Sequence, residues 1–227
     1  AQARRLWDRA ADVGAPANIV EIGSYRGRSA IVLARAATPG ATVFAIDPHA
    51  GNDRGPQQIE GTAEEGQTDH EAFLSNLERG GVSDRVRHVR LPSSEAHGAI
   101  EGQIALLYVD GAHRYAPARD DIRDWGARVA PGGTMLIHDG FSSVGVTLAT
   151  LRLLAFGREF AYAGRSGSLV EYRRTAGLSG RERRRNALSQ LGELGWFARN
   201  LVVKVAIVTH ITPLARLVGH RSRDWPY

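Results

Sequence analysis

The 227-residue chain has no cysteine. That excludes a disulfide framework, a thiolate metal site and a cysteine nucleophile, and it fits a reducing compartment, so a cytoplasmic location is expected. No apolar run approaches the ~18 residues a membrane span needs. The opening decapeptide AQARRLWDRA lacks the apolar stretch of a secretory signal. There is no G-x-S-x-G elbow and no P-loop, which argues against serine hydrolysis and P-loop nucleotide hydrolysis. Repeats and low-complexity tracts are absent as well.

What is present suits one folded domain with a modest extension. Apolar residues make up 43% and charged residues 23%, which argues against global disorder. By size scaling a chain this long buries about 70% of its unfolded surface. The net charge of +5 is unevenly spread. Residues 1–172 carry 18 basic and 21 acidic side chains, whereas residues 173–227 carry 11 basic and 3 acidic. The basic excess therefore belongs to the tail, and any polyanion partner would concern the tail alone.

Hydrophobic periodicity predicts an alternating series. A helix over 1–13 places Leu6, Ala10 and Val13 on one face. Strand 18–22, helix 26–37 and strand 41–46 follow. Polar, Gly-rich residues 49–68 read as a long loop, a length that is often functional. Helix 69–79 then starts with Asp69 as its cap. Strand 86–91, strand 104–109, helix 116–129 (stopped by Pro131-Gly132-Gly133), strand 134–138, helix 144–156 and a hairpin over 160–163 and 168–172 complete the domain. Such alternation implies a parallel sheet covered by helices on both faces, an α/β doubly wound Rossmann-like domain over 1–172 with a helical tail over 173–227. Ligands of such sheets bind beyond the carboxyl ends of the strands.

The first strand ends in Glu21-Ile22-Gly23-Ser24-Tyr25-Arg26-Gly27-Arg28-Ser29. Gly23 and Gly27 allow a tight turn and a close backbone approach, and the following helix offers its N-terminus. The G-x-x-x-G spacing differs from the G-x-G-x-x-G of dinucleotide binders. Glu21 suits a cationic or ammonium-bearing ligand better than a pyrophosphate. A plain glycine turn is the structural alternative. The second strand ends in Asp47, 20 residues beyond Gly27, where a carboxylate accepts both hydroxyls of a ribose. The alternative there is a turn aspartate before Pro48. Strand four ends in Asp110-Gly111-Ala112-His113 and strand five in His138-Asp139. Two carboxylates and two imidazoles thus converge on one crevice, a donor set suited to a divalent cation. His138 buried with a hydrogen-bond partner is the bland reading, and an exposed loop position is the bland reading of His113. His49 sits at the crevice as well. His70, His88, His97, His210 and His220 show no constellation around them.

The E-x-G-x-x-x-G loop and the acid closing the second strand resemble the class I S-adenosylmethionine-dependent methyltransferases over much of residues 15–172. That resemblance implies S-adenosylmethionine as cofactor, held by Glu21, Gly23, Ser24, Tyr25, Gly27, Ser29, Asp47 and Asp110. Ser93 and Ser94, in Pro92-Ser93-Ser94-Glu95-Ala96, are similar to the segment that flanks the adenine. Within the superfamily the pattern resembles the metal-dependent O-methyltransferases of the catechol and macrolide-sugar type. It implies a divalent metal, Mg2+ by analogy, on Asp110 and Asp139. His138 replaces the usual acid, so its ligand role departs from the pattern. It implies His113 as general base, and a small hydroxylated molecule as acceptor. A metal-independent methyltransferase and a non-catalytic nucleoside-binding or membrane-associated module are the alternatives.

In the tail, RERRR at 181–185 is a charge run. Leu188, Leu191, Leu194, Phe197 and Leu201 then recur at helical spacing, and apolar residues 202–217 are interrupted by Pro213. Three readings stay open: packing on the main domain or on a second subunit, covering the active site, or lying on an anionic membrane. A homo-oligomer is expected, and nucleic acid is not, because no nucleic-acid-binding motif accompanies the arginines.

Overall fold

The computed structural model describes residues 1–51, 62–209 and 219. The strands are β1 (Asn18–Ile22), β2 (Thr42–Ile46), β3 (Val86–Val89), β4 (Ile104–Val109), β5 (Val129–Ile137), β6 (Phe160–Ser166) and β7 (Leu169–Arg174). The helices are α1 (Gln2–Ala11), α2 (Arg28–Ala36), α3 (Ala63–Arg79), α4 (Tyr115–Gly126), α5 (Val144–Thr150), α6 (Gly180–Gly192) and α7 (Leu194–Val208). Among the described residues the strands form one sheet, ordered β3-β2-β1-β4-β5-β7-β6. β1 to β5 run parallel, and β7 enters antiparallel between β5 and β6.

Near-continuous apolar strands follow from burial on both faces. Ile104, Leu106 and Leu107 of β4 are fully buried. One face packs Val20, Ile22 and Leu107 against Ile122 and Trp125 of α4 and Val146 of α5. The other packs Ile19, Val43 and Leu106 against Leu6 and Ala10 of α1, Leu33 of α2 and Phe73 of α3. The strand order reverses between β1 and β4, which opens the crevice where ligands bind in such sheets.

Several boundaries differ from the sequence expectation. α3 starts at Ala63, not at Asp69. Thr62 accepts from the Glu65 amide at 3.2 Å, while the Glu65 carboxylate accepts from the Thr62 amide at 2.9 Å. This capping box overrides the loop-like composition of the segment. Asp69 instead pairs with Arg26 at 2.8 Å. The rest of the expected loop, residues 52–61, lies outside the described residues. Pro131-Gly132-Gly133 does not precede β5 but sits inside it, where the register with β4 shifts. Such an irregularity is where a strand accommodates Pro and Gly. The expected helix 144–156 becomes α5 followed by a π-helical turn, Leu151–Ala155.

The tail forms two helices that break at Glu193 rather than one continuous stripe. α6 opens with a second capping box, between Ser179 and Glu182. Its buried Asn186 donates to the carbonyls of Leu154, Ala155 and Phe160 and accepts from the Tyr162 amide. The Tyr172 hydroxyl donates to Gln190 at 2.8 Å. Trp196 and Phe197 of α7 join the core. The described part of the tail therefore packs on its own domain. No described helix is long and apolar enough to cross a membrane. Residues 210–218 and 220–227, with Pro213, His210 and His220, lie outside the described set.

Candidate active site

The loop after β1 is set by contacts that leave no room for side chains. Gly23 has φ +85, and a Cβ there would overlap the Asp110 backbone carbonyl. Gly23 and Asp110 are tied into the sheet through Gly23 N–H to Ile46 O at 2.9 Å and Asp110 N–H to Ile22 O at 2.8 Å. Gly27, φ +81, precedes α2, and a Cβ there would press on Phe73. It turns the chain into α2 and is not among the residues that line the two cavities of the site.

Asp47 does two jobs. Its Oδ2 accepts the Tyr25 amide at 2.7 Å and its Oδ1 the His49 amide at 2.8 Å. These bonds hold Tyr25 at φ +46 and His49 at φ +47. Each oxygen keeps a second lone pair, and the carboxylate lines the cavity, so a ribose diol can still be accepted there.

Two cavities flank the loop. The first, about 550 Å³, is lined by Asp47, Ser93, Ser94, His97, Asp121 and Trp125 among others. The second, about 510 Å³, is lined by Gln2, Ser24, Arg28, Ser29, Tyr108 and His138 among others. Gly23, Tyr25 and Asp110 line both. An elongated ligand with a nucleoside end and an amino-acid end fits that pair of compartments.

Beneath the loop, Glu21 is fully buried. Burial pushes its carboxyl up to about 8; the Ser29 and Ser24 hydroxyls pull it back, and the Asp110 and Asp47 charges add to the rise. Neither oxygen closes a hydrogen bond of good geometry among the described residues, and neither does the Ser24 hydroxyl. A buried carboxyl left in that condition suits a cationic ligand group.

Four side chains from the ends of β4 and β5 meet beside the cavities: Asp110 lines both and His138 the second, whereas His113 and Asp139 line neither. His138 Nδ1 lies 3.1 Å from Asp110 Oδ1 and 3.5 Å from Asp139 Oδ1. His113 Nδ1 lies 3.5 Å from Asp139 Oδ2, and its Nε2 lies 3.8 Å from Asp110 Oδ1. Asp110, His113 and His138 each offer one donor atom within 4.8 Å of the others. The remaining oxygen of Asp110, Oδ2, accepts from the Tyr108 hydroxyl at 2.9 Å. Burial first, and then the Asp110 charge, push Tyr108 well above its usual range, so it remains a donor. Asp139 is buried with φ +55. Its turn is gripped from the tail: Asn200 donates to the Phe141 carbonyl and Lys204 to the Ser142 carbonyl at 2.9 Å. Asp110, His113, His138 and Asp139 therefore lie together in space.

Other groups were not legible. His70 and His88 do have a constellation. The rings of His49, His70 and His88 stand 5.0–5.2 Å apart beside Phe73, behind Asp47. Burial lowers His88 to about 4, which keeps it neutral beside the Asp47 carbonyl. His97 stacks on Trp125 at 4.3 Å in the first cavity. Ser93 donates to Asp121 at 2.5 Å, and burial pushes that carboxyl up to about 6. Asp121 had no motif to announce it.

A seven-stranded sheet in this order, with a glycine loop and an acid closing its first two strands, defines a Rossmann-like methyltransferase of class I. A family model described as a methyltransferase domain matches residues 20–140, and the chain belongs to that family. It is an S-adenosylmethionine-dependent methyltransferase. Solved structures of similar fold include the O-methyltransferase NovP, 21% identical over 76% of this chain and 79% of that one, TM-score 0.57. The O-methyltransferase from Bacillus cereus, in complex with S-adenosylhomocysteine, is 16% identical over 76% and 78%, TM-score 0.55. TomG from Streptomyces achromogenes, an O-methyltransferase involved in tomaymycin synthesis, is 17% identical over 77% and 79%, TM-score 0.54.

Proposed function

We propose that this chain methylates a hydroxyl group of a small molecule, with a divalent cation at Asp110 and Asp139 and with His113 as general base. The observation that carries the reading is the cluster of two carboxylates and two imidazoles around Asp110, the member that lines both cavities. NovP and TomG are O-methyltransferases by name, which supports the choice of oxygen as acceptor.

S-adenosylmethionine supplies a methyl group activated by its sulfonium. Asp47 and the Ser93-Ser94 segment hold the nucleoside end, and Glu21, Ser24 and Ser29 face the amino-acid end. A cation, when bound, supplies Lewis acidity that lowers the proton affinity of an acceptor hydroxyl. Asp139 Oδ2 faces His113 Nδ1 at 3.5 Å, and the buried Nε2, 3.8 Å from Asp110 Oδ1, is the nitrogen that would take the proton of an acceptor held at Asp110. The transfer needs oxygen, methyl and sulfur in line, so positioning by rigid strand ends carries much of the rate.

His113→Ala should lower turnover by about 10²–10⁴-fold, the usual worth of a general base, with S-adenosylmethionine affinity unchanged by calorimetry. Full activity in the variant would remove the base assignment. Full activity in excess EDTA would instead favour the metal-independent form of the reaction.

A further inference from the structure

We propose that Gln2 turns His138 into a nitrogen ligand, so that the cluster binds a borderline transition-metal ion such as Fe2+ or Co2+ in preference to Mg2+. The inference rests on the cation reading above and goes beyond it in naming the ion class and the residue that selects it.

His138 Nε2 lies 3.1 Å from Gln2 Oε1. A carbonyl oxygen only accepts, so Nε2 carries the hydrogen. In neutral imidazole the lone pair is then on Nδ1, the atom that faces Asp110 Oδ1 at 3.1 Å and Asp139 Oδ1 at 3.5 Å. Adjacent ligands of an octahedral ion with bonds of about 2.1 Å are roughly 3.0 Å apart. The His138–Asp110 edge, 3.1 Å, is close to that value, and the His138–Asp139 edge, 3.5 Å, is longer. Each carboxylate offers a single oxygen to this point, since Asp110 Oδ2 is engaged by Tyr108 and Asp139 Oδ2 faces His113. The His138 nitrogen and an Asp110 oxygen belong to the described group whose donor atoms all lie within 4.8 Å of one another, and such a mixed nitrogen–oxygen set is one that later divalent metals favour, whereas Mg2+ favours oxygen alone.

Gln2 is held for this task by residues far away in sequence. Its Nε2 is 3.1 Å from Ser168 Oγ in the β6–β7 turn. A Cβ at Gly167, φ +60, would stand 2.8 Å from that same Nε2. Arg5 of α1 locks helix and turn together through Ser166 at 2.8 Å and Glu171 at 2.9 Å. Partners of this kind, which orient a ligating histidine through its other nitrogen, typically alter metal affinity 10–100-fold when removed.

The test is calorimetry of the full chain with S-adenosylhomocysteine present, titrated with Co2+ and with Mg2+, together with the visible spectrum of the Co2+ form. Co2+ should bind at least about 100-fold more tightly than Mg2+. Gln2→Leu should weaken Co2+ about 10-fold or more, by a larger factor than it weakens Mg2+, and should shift the Co2+ absorption. Gln2→Glu, which still accepts from Nε2, should retain the Co2+ affinity. His138→Ala should abolish the preference between the ions. Mg2+ binding as tightly as Co2+, or a Gln2→Leu variant with unaltered Co2+ affinity and spectrum, overturns this inference while the cation reading stands. Failure of both ions to bind overturns the cation reading and this inference together.

Discussion

The carboxyl of Glu21 is the residue on which cofactor binding and stability pull in opposite directions. Its native value of about 8 lies above the ordinary 4.5 because it is buried. Between those two values the native state keeps a proton that the unfolded state has released. Stability of the ligand-free protein is therefore highest below about pH 4.5 as far as this group is concerned, declines by up to about 1.4 kcal/mol per pH unit through the window, and levels off above pH 8. Glu21→Gln removes that loss, so thermal unfolding of the variant above pH 8 should occur at higher temperature than for the parent. The same variant should bind S-adenosylmethionine more weakly, because the amide cannot offset a positive charge. A parent whose melting temperature shows no greater decline than the variant between pH 5 and 8.5 would contradict the burial argument. Glu21, Asp47, Asp110, His113, His138 and Asp139 were legible because each sits at the end of an apolar strand run, where topology alone puts it in the crevice. Gln2, Tyr108 and Asp121 were not. Gln2 reaches His138 across 136 positions of sequence, and no local pattern marks such a pairing.

At the scale of elements, the buried strands matched their apolar runs closely: β1 and β4 fall on the expected residues. Errors fell where composition and capping disagree. Polar residues 62–68 look like loop by composition, yet Thr62-x-x-Glu65 starts a helix, and Gly66 is needed there because a Cβ would overlap the His49 carbonyl. The tail's leucine spacing suggested one amphipathic helix. Two form because Glu193 is drawn to Tyr162 at 2.9 Å and Arg165 at 2.7 Å, and because α6 buries Asn186 and Gln190 rather than Leu188 and Leu191, both of which are exposed. Polar anchoring thus defeated the hydrophobic pattern. Asn186 is the test of that statement. Its side chain serves three carbonyls and one amide of the main domain. Asn186→Ala strands those buried groups, so a cost of about 2–4 kcal/mol is expected in chemical denaturation. Leu188→Ala, at an exposed position on the same helix, should stay within about 0.5 kcal/mol. Equal costs for the two would restore the leucine stripe as the packing face.

For the whole molecule, the split of charge has a structural reading. The basic tail is not a detached arm. Through residue 208 it covers one flank of the sheet, and it reaches the turn that carries Asp139 through Asn200 and Lys204. Lys204 is also the only lysine among 29 basic residues. Its ammonium is half-buried, with burial lowering its proton affinity and the Asp139 charge opposing that. A chain ending after Thr175 would lose these contacts together. Tyr172, the carbonyls of Leu154 and Phe141, and the core surface under Trp196 and Phe197 would all lose their partners. Each buried polar group left unpaired costs about 1–3 kcal/mol, so the three named groups together cost about 3–9 kcal/mol, and with the uncovered core surface the loss reaches the 5–15 kcal/mol by which such domains are ordinarily stable. The shortened chain should therefore show no cooperative unfolding transition and should bind a hydrophobic dye at 25 °C. Its charge would also fall to near neutrality, since 20 basic and 21 acidic side chains remain in residues 1–175, which favours precipitation. To separate folding from solubility, the transition is measured in the presence of S-adenosylmethionine at low protein concentration. A soluble shortened chain with a sharp transition and parental cofactor affinity would show that the domain over residues 1–172 stands alone and that the tail serves only its outer surface.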